Sequence, residues 1–184
     1  MMKHKTDLEN ITQLKVKEIQ KILTPSETNK KEAKIDITNI FKGYNRKLVS
    51  LNYRIAKNIL KTAVNRNEGN RACILCKSRA ETIYHLFFEC KELAEMREDF
   101  NKYTKAIRGN NFNPETWEYM IFMQHLENKM EYEIISLYKK HIWLYVLAVR
   151  FDKKDIGITR LRLNYEYDIR FYIEYCTITK VGVG

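Results

Sequence analysis

Apolar residues recur every three to four positions through most of this chain, and that spacing predicts helices. Leu8, Ile11, Leu14 (or Val16), Ile19 and Ile22 with Leu23 place an amphipathic helix over 8–23, which Pro25-Ser26 ends. Residues 27–34 are polar and charged and read as a linker, and Gly43 marks a break within 35–45. From Arg46 a second helix is expected. Leu48, Leu51, Ile55, Ile59 and Val64 share one face, Arg54, Lys57, Lys61 and Arg66 cover much of the rest, and Glu68-Gly69-Asn70 stops it. Cys73 to Ala80 is a short loop. Ile83, Leu86, Phe87, Leu93, Met96, Phe100 and Ile107 then predict one or two helices over 81–107, with a break near Cys90. Gly109 to Pro114 is a turn, and Pro114 suits the first position of a helix carrying Trp117, Met120, Ile121 and Leu126. The strongest pattern covers 130–151, with Ile134, Leu137, Tyr138, Ile142, Tyr145 and Val149 in helical register.

The tail supports two patterns. Residues 161–175 alternate apolar and polar as a strand does, yet Ile158, Leu161, Tyr165, Ile169, Tyr172 and Cys176 also stand three to four apart. No partner strand is evident, so a helix is expected. The sum is a mainly α protein, a helical bundle with a small Cys3His knuckle between helices. It divides into an N-terminal helix and linker (1–34), a basic helix plus knuckle (35–110) and a C-terminal helical region (111–184).

Composition sharpens this picture. Hydrophobic residues make up 45% of the 184, enough for a packed core and against disorder throughout. Six glycines and two prolines argue against a turn-rich β protein. No stretch reaches the roughly 20 apolar residues of a membrane span, and the N-terminus lacks the apolar core of a signal peptide. No membrane partner and an intracellular setting, cytoplasm and/or nucleus, are therefore expected. In a reducing compartment, closely spaced cysteines read as metal ligands rather than disulfides.

Charge is unevenly placed. The net charge is +10, but residues 1–80 hold 18 Lys and Arg against 7 Asp and Glu, while 81–184 hold 15 against 16. Such asymmetry points to a polyanion, nucleic acid or an acidic membrane surface, with a merely solvated basic surface as the alternative.

The sharpest chemistry lies at the end of the basic half. Cys73 and Cys76 form a C-x2-C pair that a tight loop can turn around one metal, and His85 and Cys90 complete C-x2-C-x8-H-x4-C. A Cys3His set suits one tetrahedral Zn2+ and leaves no open position, so the ion would be structural. The alternative is three buried thiols and a core histidine. Glu81 and Thr82 stand where a helix begins, facing the positive end of its dipole. Leu86, Phe87 and Phe88 are expected to pack the knuckle onto the preceding helix, and distant Cys176 reads as a buried thiol.

The run from Cys73 to Cys90, with Glu81-Thr82 and His85-Leu86-Phe87 ahead of the last cysteine, resembles the C-terminal zinc-binding (CCHC) domain of non-LTR (LINE-type) retrotransposon reverse transcriptases. The likeness extends over 46–176 and is specific within 51–93. It includes the basic helix Leu51–Leu60 and a later helix around His141-Ile142-Trp143. The resemblance implies binding of element RNA and target DNA beside a polymerase, and the four ligands are the residues it transfers. The chain departs from the family's catalytic portion: it has no Asp-Asp pair for the metal ions of a polymerase palm and is too short for fingers and palm. Asp152 and Asp155 beside Lys153 and Lys154 make no nuclease set. A C-terminal piece of a retroelement protein, or a free-standing product that kept this module, both fit.

Three functions are weighed. In a nucleic-acid-binding module, Arg54, Lys57, Lys61, Arg66, Arg71, Lys77 and Arg79 contact phosphates, and Tyr53 and Tyr84 are candidates to stack on unpaired bases. RNA and/or DNA are then the partners, with the polymerase portion of a retroelement protein as a further one. In a protein-interaction scaffold the knuckle only staples the bundle, and the aromatic tail from Tyr165 to Tyr175 docks on a partner or a second copy. An enzyme is not expected, because His125, His141 and the carboxylates show no spacing that couples a base to a nucleophile.

Overall fold

Side-chain caps decide where the helices begin and end. Helix α1 (Arg46–Ala56) starts at Asn45, whose side chain accepts from the backbone N–H groups of Lys47 and Leu48 at 3.0 and 3.4 Å. It stops well short of the expected Val64. Asn58 turns to φ 53°, a left-handed conformation that asparagine tolerates better than most residues. The Asn65 side chain then donates to the carbonyls of Asn58 and Leu60 at 2.8 Å each, which closes the 57–66 turns. Ile59 is left about half exposed. Of the basic residues expected on this helix, only Arg54 is on it; Lys57 caps its end, and Lys61 and Arg66 stand in the turns that follow.

The structure, a computed structural model, describes residues 35–43, 45–66, 69–152 and 156–181, with side chains through Phe151 and from Ile156 to Glu174 in the last two stretches. The predicted helix over 8–23, its Pro25 stop, the 27–34 linker, Lys153 to Asp155 and the Cys176 side chain lie outside it. Ile37–Gly184 forms one unit and Met1–Asp36 another, of which only Ile35 and Asp36 are described.

Helix α2 (Ala94–Arg108) follows a 3-10 turn at Lys91–Leu93 and ends at Gly109, whose φ of 92° favours glycine. The helix expected from Pro114 reduces to one π turn, Trp117–Ile121, because the Thr116 hydroxyl accepts from Tyr119 N–H (3.2 Å) and starts the turn there. Met123 and His125, at φ 57° and 60°, then end any continuation. Helix α3 (Lys129–Leu147) is capped by Asn128, which accepts from Glu131 N–H at 3.0 Å, and it passes into a π turn at Ala148–Asp152. Helix α4 (Gly157–Val181) is the tail, helical as its 3–4 spacing predicts. Among the described residues there is no strand, only an isolated bridge between Ala72 and Ala80. The chain is thus mainly helical.

Fourteen of the nineteen α3 residues are buried, so this helix is the centre and α1, α2 and α4 pack around it. Several of its polar side chains find partners there. Asn52 of α1 donates to Ser136 Oγ at 2.8 Å, and Tyr132 donates to the Ile40 carbonyl at 2.9 Å. Tyr132 lies so close to Gly43 that an added Cβ would stand 2.2 Å from its hydroxyl, which accounts for the glycine at that break. Phe100 of α2 stacks on Tyr138 with centroids 4.6 Å apart. Leu161, Tyr165 and Ile169 of α4 close the other side, and Arg162 grips Asp99 through Nε (2.6 Å) and Nη2 (3.1 Å).

Candidate metal centre

Between α1 and α2 the chain makes a small closed loop before it becomes helical again. Cys73 N–H donates to the Arg79 carbonyl (2.7 Å) and Glu81 N–H to the Arg71 carbonyl (2.8 Å), so the two arms pair on either side of the Ala72–Ala80 bridge. Inside the loop Lys77 N–H reaches back to the Cys73 carbonyl (2.9 Å), a turn that requires Lys77 at φ 59°. This tight reversal turns Cys73 and Cys76 toward the same point.

The other two donors come from the segment after the loop. The Thr82 hydroxyl accepts from His85 N–H (2.9 Å) and starts a helical turn, the role expected of its position. His85 and Cys90 are five residues apart, about 140° apart on an ordinary α-helix and so on different faces. The chain instead widens into a π turn at His85–Glu89, closed by Cys90 N–H donating to the His85 carbonyl at 2.7 Å. Cys90 then leaves the turn at ψ 117°, which is the predicted break.

Cys73, Cys76, His85 and Cys90 come together, all buried, with one donor atom each within 4.8 Å of every other. The distances suit a metal. Cys73 Sγ to Cys90 Sγ is 3.9 Å and Cys76 Sγ to His85 Nε2 is 3.2 Å. A tetrahedron with metal–sulfur bonds of about 2.3 Å and metal–nitrogen bonds of about 2.0 Å has edges of about 3.8 and 3.5 Å. His85 offers Nε2 inward. Its buried Nδ1 has no hydrogen bond and faces Glu89 Oε2 at 3.7 Å, the side on which metal-bound histidines meet a carboxylate.

Protonation fits the same reading. A hydrogen bond from Cys90 lowers the Cys73 thiol to about 6, against the opposing effect of burial. That same bond, then burial, pushes Cys90 up. Burial raises Cys76, but hydrogen bonds from Ser78, including its hydroxyl at 3.1 Å, outweigh it and the net shift is down. The opposite directions at Cys73 and Cys90 follow from their shared hydrogen bond, and a cation among the sulfurs would favour the thiolate at each. The four residues can bind a metal ion.

Glu81 has a different role from the one expected. It stands just before the turn that Thr82 starts, but it is fully buried and its carboxylate is engaged elsewhere. One oxygen accepts from Ala63 N–H (2.9 Å) and the other from Ile74 N–H (3.0 Å), which ties the 57–66 turns to the loop. Arg150, in the π turn after α3, pairs with this carboxylate and also donates to the Lys61 carbonyl at 3.3 Å. The aromatic residues also differ from expectation. Phe87 packs against α3, with its ring 6.2 Å from that of Tyr138 and its carbonyl accepting from the Tyr138 hydroxyl at 2.9 Å, rather than against the preceding helix alone.

The predicted phosphate contacts are dispersed. Lys61, Arg71, Lys77 and Arg79 are exposed around the loop and the turns before it, and Arg54 and Arg66 are half-buried. Arg79 pairs with Glu89 at 3.2 Å, and Arg66 lies over the Phe151 ring at 5.4 Å. Lys57 differs from the exposed position expected of it: at 6% exposure it is buried at the end of α1. Tyr53 lies half-buried beside Phe41, and Tyr84, 37% exposed, stacks on Phe88 and Trp117 at 5.2 and 5.6 Å. Arg150 and Ser78 were not marked by spacing, and nothing in the sequence marked Glu81 as buried. A lone Glu or Arg in sequence carries no sign of burial, and Arg150 lies 69 residues from its partner.

No helix is long and apolar enough among the described residues to cross a membrane. A scan against protein-family models, a search of curated proteins and a search of solved structures each found no match to this chain.

Proposed function

We propose that the centre holds one structural Zn2+ and that the region around it is a nucleic-acid-binding module resembling the zinc-binding domain of retrotransposon reverse transcriptases. Four buried protein donors, three of them sulfur, favour zinc and leave no position for water or substrate. The observation that carries the binding reading is the position of the exposed cations. Lys77 and Arg79 lie in the loop that the metal closes, Arg71 enters it, and Lys61 projects from the turns that Glu81 ties to it. The ion would hold these cations in fixed relation, so that phosphates bind without first ordering the loop. Catalysis has no part in this reading. The chain would grip RNA or DNA, with a polymerase portion of a retroelement protein as a further partner.

The test is fluorescence anisotropy of the zinc-loaded chain on a structured RNA and on a DNA duplex, at several salt concentrations. Affinity should fall with salt by several ion equivalents, and K61E/K77E should weaken binding about tenfold or more at low salt while zinc content and helicity stay unchanged. No binding at low salt by a folded, zinc-replete protein would overturn the nucleic-acid reading and leave the scaffold one.

A further inference from the structure

Helix α4 has two apolar faces, and only one is used. Leu161, Tyr165 and Ile169 fill the core, whereas Leu163, Tyr167 and Phe171 are 56, 69 and 62% exposed. Residues four apart advance about 40° around a helix, so these three form one stripe. Leu144 of α3, 51% exposed, lines the same groove as Phe171 and extends the patch. A continuous apolar surface of this kind marks an interaction site.

Charges at the two ends of the stripe indicate what covers it. Arg160 and Glu174 are exposed and enter no ion pair among the described residues, while Arg170 is held by Glu166 at 2.6 Å and Arg162 by Asp99. The arrangement is symmetric in position and opposite in charge about Tyr167. Leu163 and Phe171 lie four residues to either side, and Arg160 and Glu174 seven. Residues seven apart stay on one seam of a packed helix pair.

We propose that α4 docks antiparallel on α4 of a second copy of this chain, about a two-fold axis at Tyr167. Tyr167 then meets its own counterpart, each Leu163 meets a Phe171 and each Arg160 meets a Glu174, while Asn164 faces Arg170 without repulsion. A two-fold contact needs a self-complementary surface, and this stripe is one in both apolar and charged positions. The dimer rests on α4 and stands whether or not the chain binds nucleic acid.

Sedimentation equilibrium of the full, metal-loaded chain tests it. The expected mass is twice 22.1 kDa, falling to 22.1 kDa on dilution. Y167E, at an exposed position, should give a monomer with unchanged helicity and metal content. R160E turns two symmetry-related attractions into repulsions and should weaken the dimer about tenfold. R160E/E174R restores both pairs in exchanged order and should recover the wild-type affinity. A monomeric wild type, a mass beyond the dimer, or a double variant no tighter than R160E would overturn the proposal.

Discussion

Lys139 allows a sharp test of the packing around α3. Its ammonium is fully buried, donates to the Ile121 carbonyl at 3.2 Å and enters no ion pair among the described residues. Burial lowers its pKa from 10.5 to about 7. The folded value lies below the unfolded one, so between about pH 7 and 10.5 the unfolded chain binds the extra proton and stability rises with pH. Below pH 7 the whole cost is present. A fall of about 3.5 pKa units corresponds to ~5 kcal/mol at 1.36 kcal/mol per unit. From pH 7 to 9 the site alone should raise stability by about 2 kcal/mol. Lys139→Met keeps the length of the side chain and removes the charge. It should stabilise the protein at pH 7 by about 3 kcal/mol, after the lost hydrogen bond, and remove that rise with pH. Urea unfolding followed by circular dichroism at pH 7, 8 and 9, with metal saturating, measures both. Burial pushes Tyr119, Tyr138 and Tyr165 up, so their effect, a loss of stability as pH climbs past 10, stays outside this window. Burial lowers His141, whose effect belongs below pH 6.5. Equal pH slopes in the two proteins would refute the reasoning.

Two further predictions concern the centre. Glu81→Gln leaves Arg150 without its carboxylate in a dry position and should cost about 3 kcal/mol in urea unfolding; Glu92→Gln, which loses an exposed pair with Lys91, should cost under about 0.5 kcal/mol. Equal effects would deny the clamp. Stripping a bound metal should expose the amides of Cys73, Lys77 and Glu81 to hydrogen exchange well before those of α3, because two of the four donors stand in this loop and none on α3; unchanged protection at these three amides would show that the loop holds without an ion.

Helical spacing was legible wherever one face met a core. Leu161, Tyr165 and Ile169 predicted α4 despite a competing alternation, because burial on one side imposes the 3–4 repeat. The limits of the helices were less legible. Ile59 and Val64 continue the α1 pattern in sequence, yet Asn58 and Asn65 end the helix through local hydrogen bonds. That difference moved Lys61 and Arg66 off the helix and left Lys57 buried at its end.

The four donors are legible in local spacings, C-x2-C and H-x4-C, and the mainly helical class in periodicity, which is local too. How those donors converge and what supports them depends on the folded chain. The π turn that carries Cys90 back toward His85 departs from the ordinary helical repeat, the arms around Ala72 and Ala80 pair through the backbone, and the Glu81–Arg150 clamp joins segments that no spacing connects. Packing onto α3 brings the partners of the clamp together across 69 residues, and a contact of that range leaves no period in the chain for sequence to reveal.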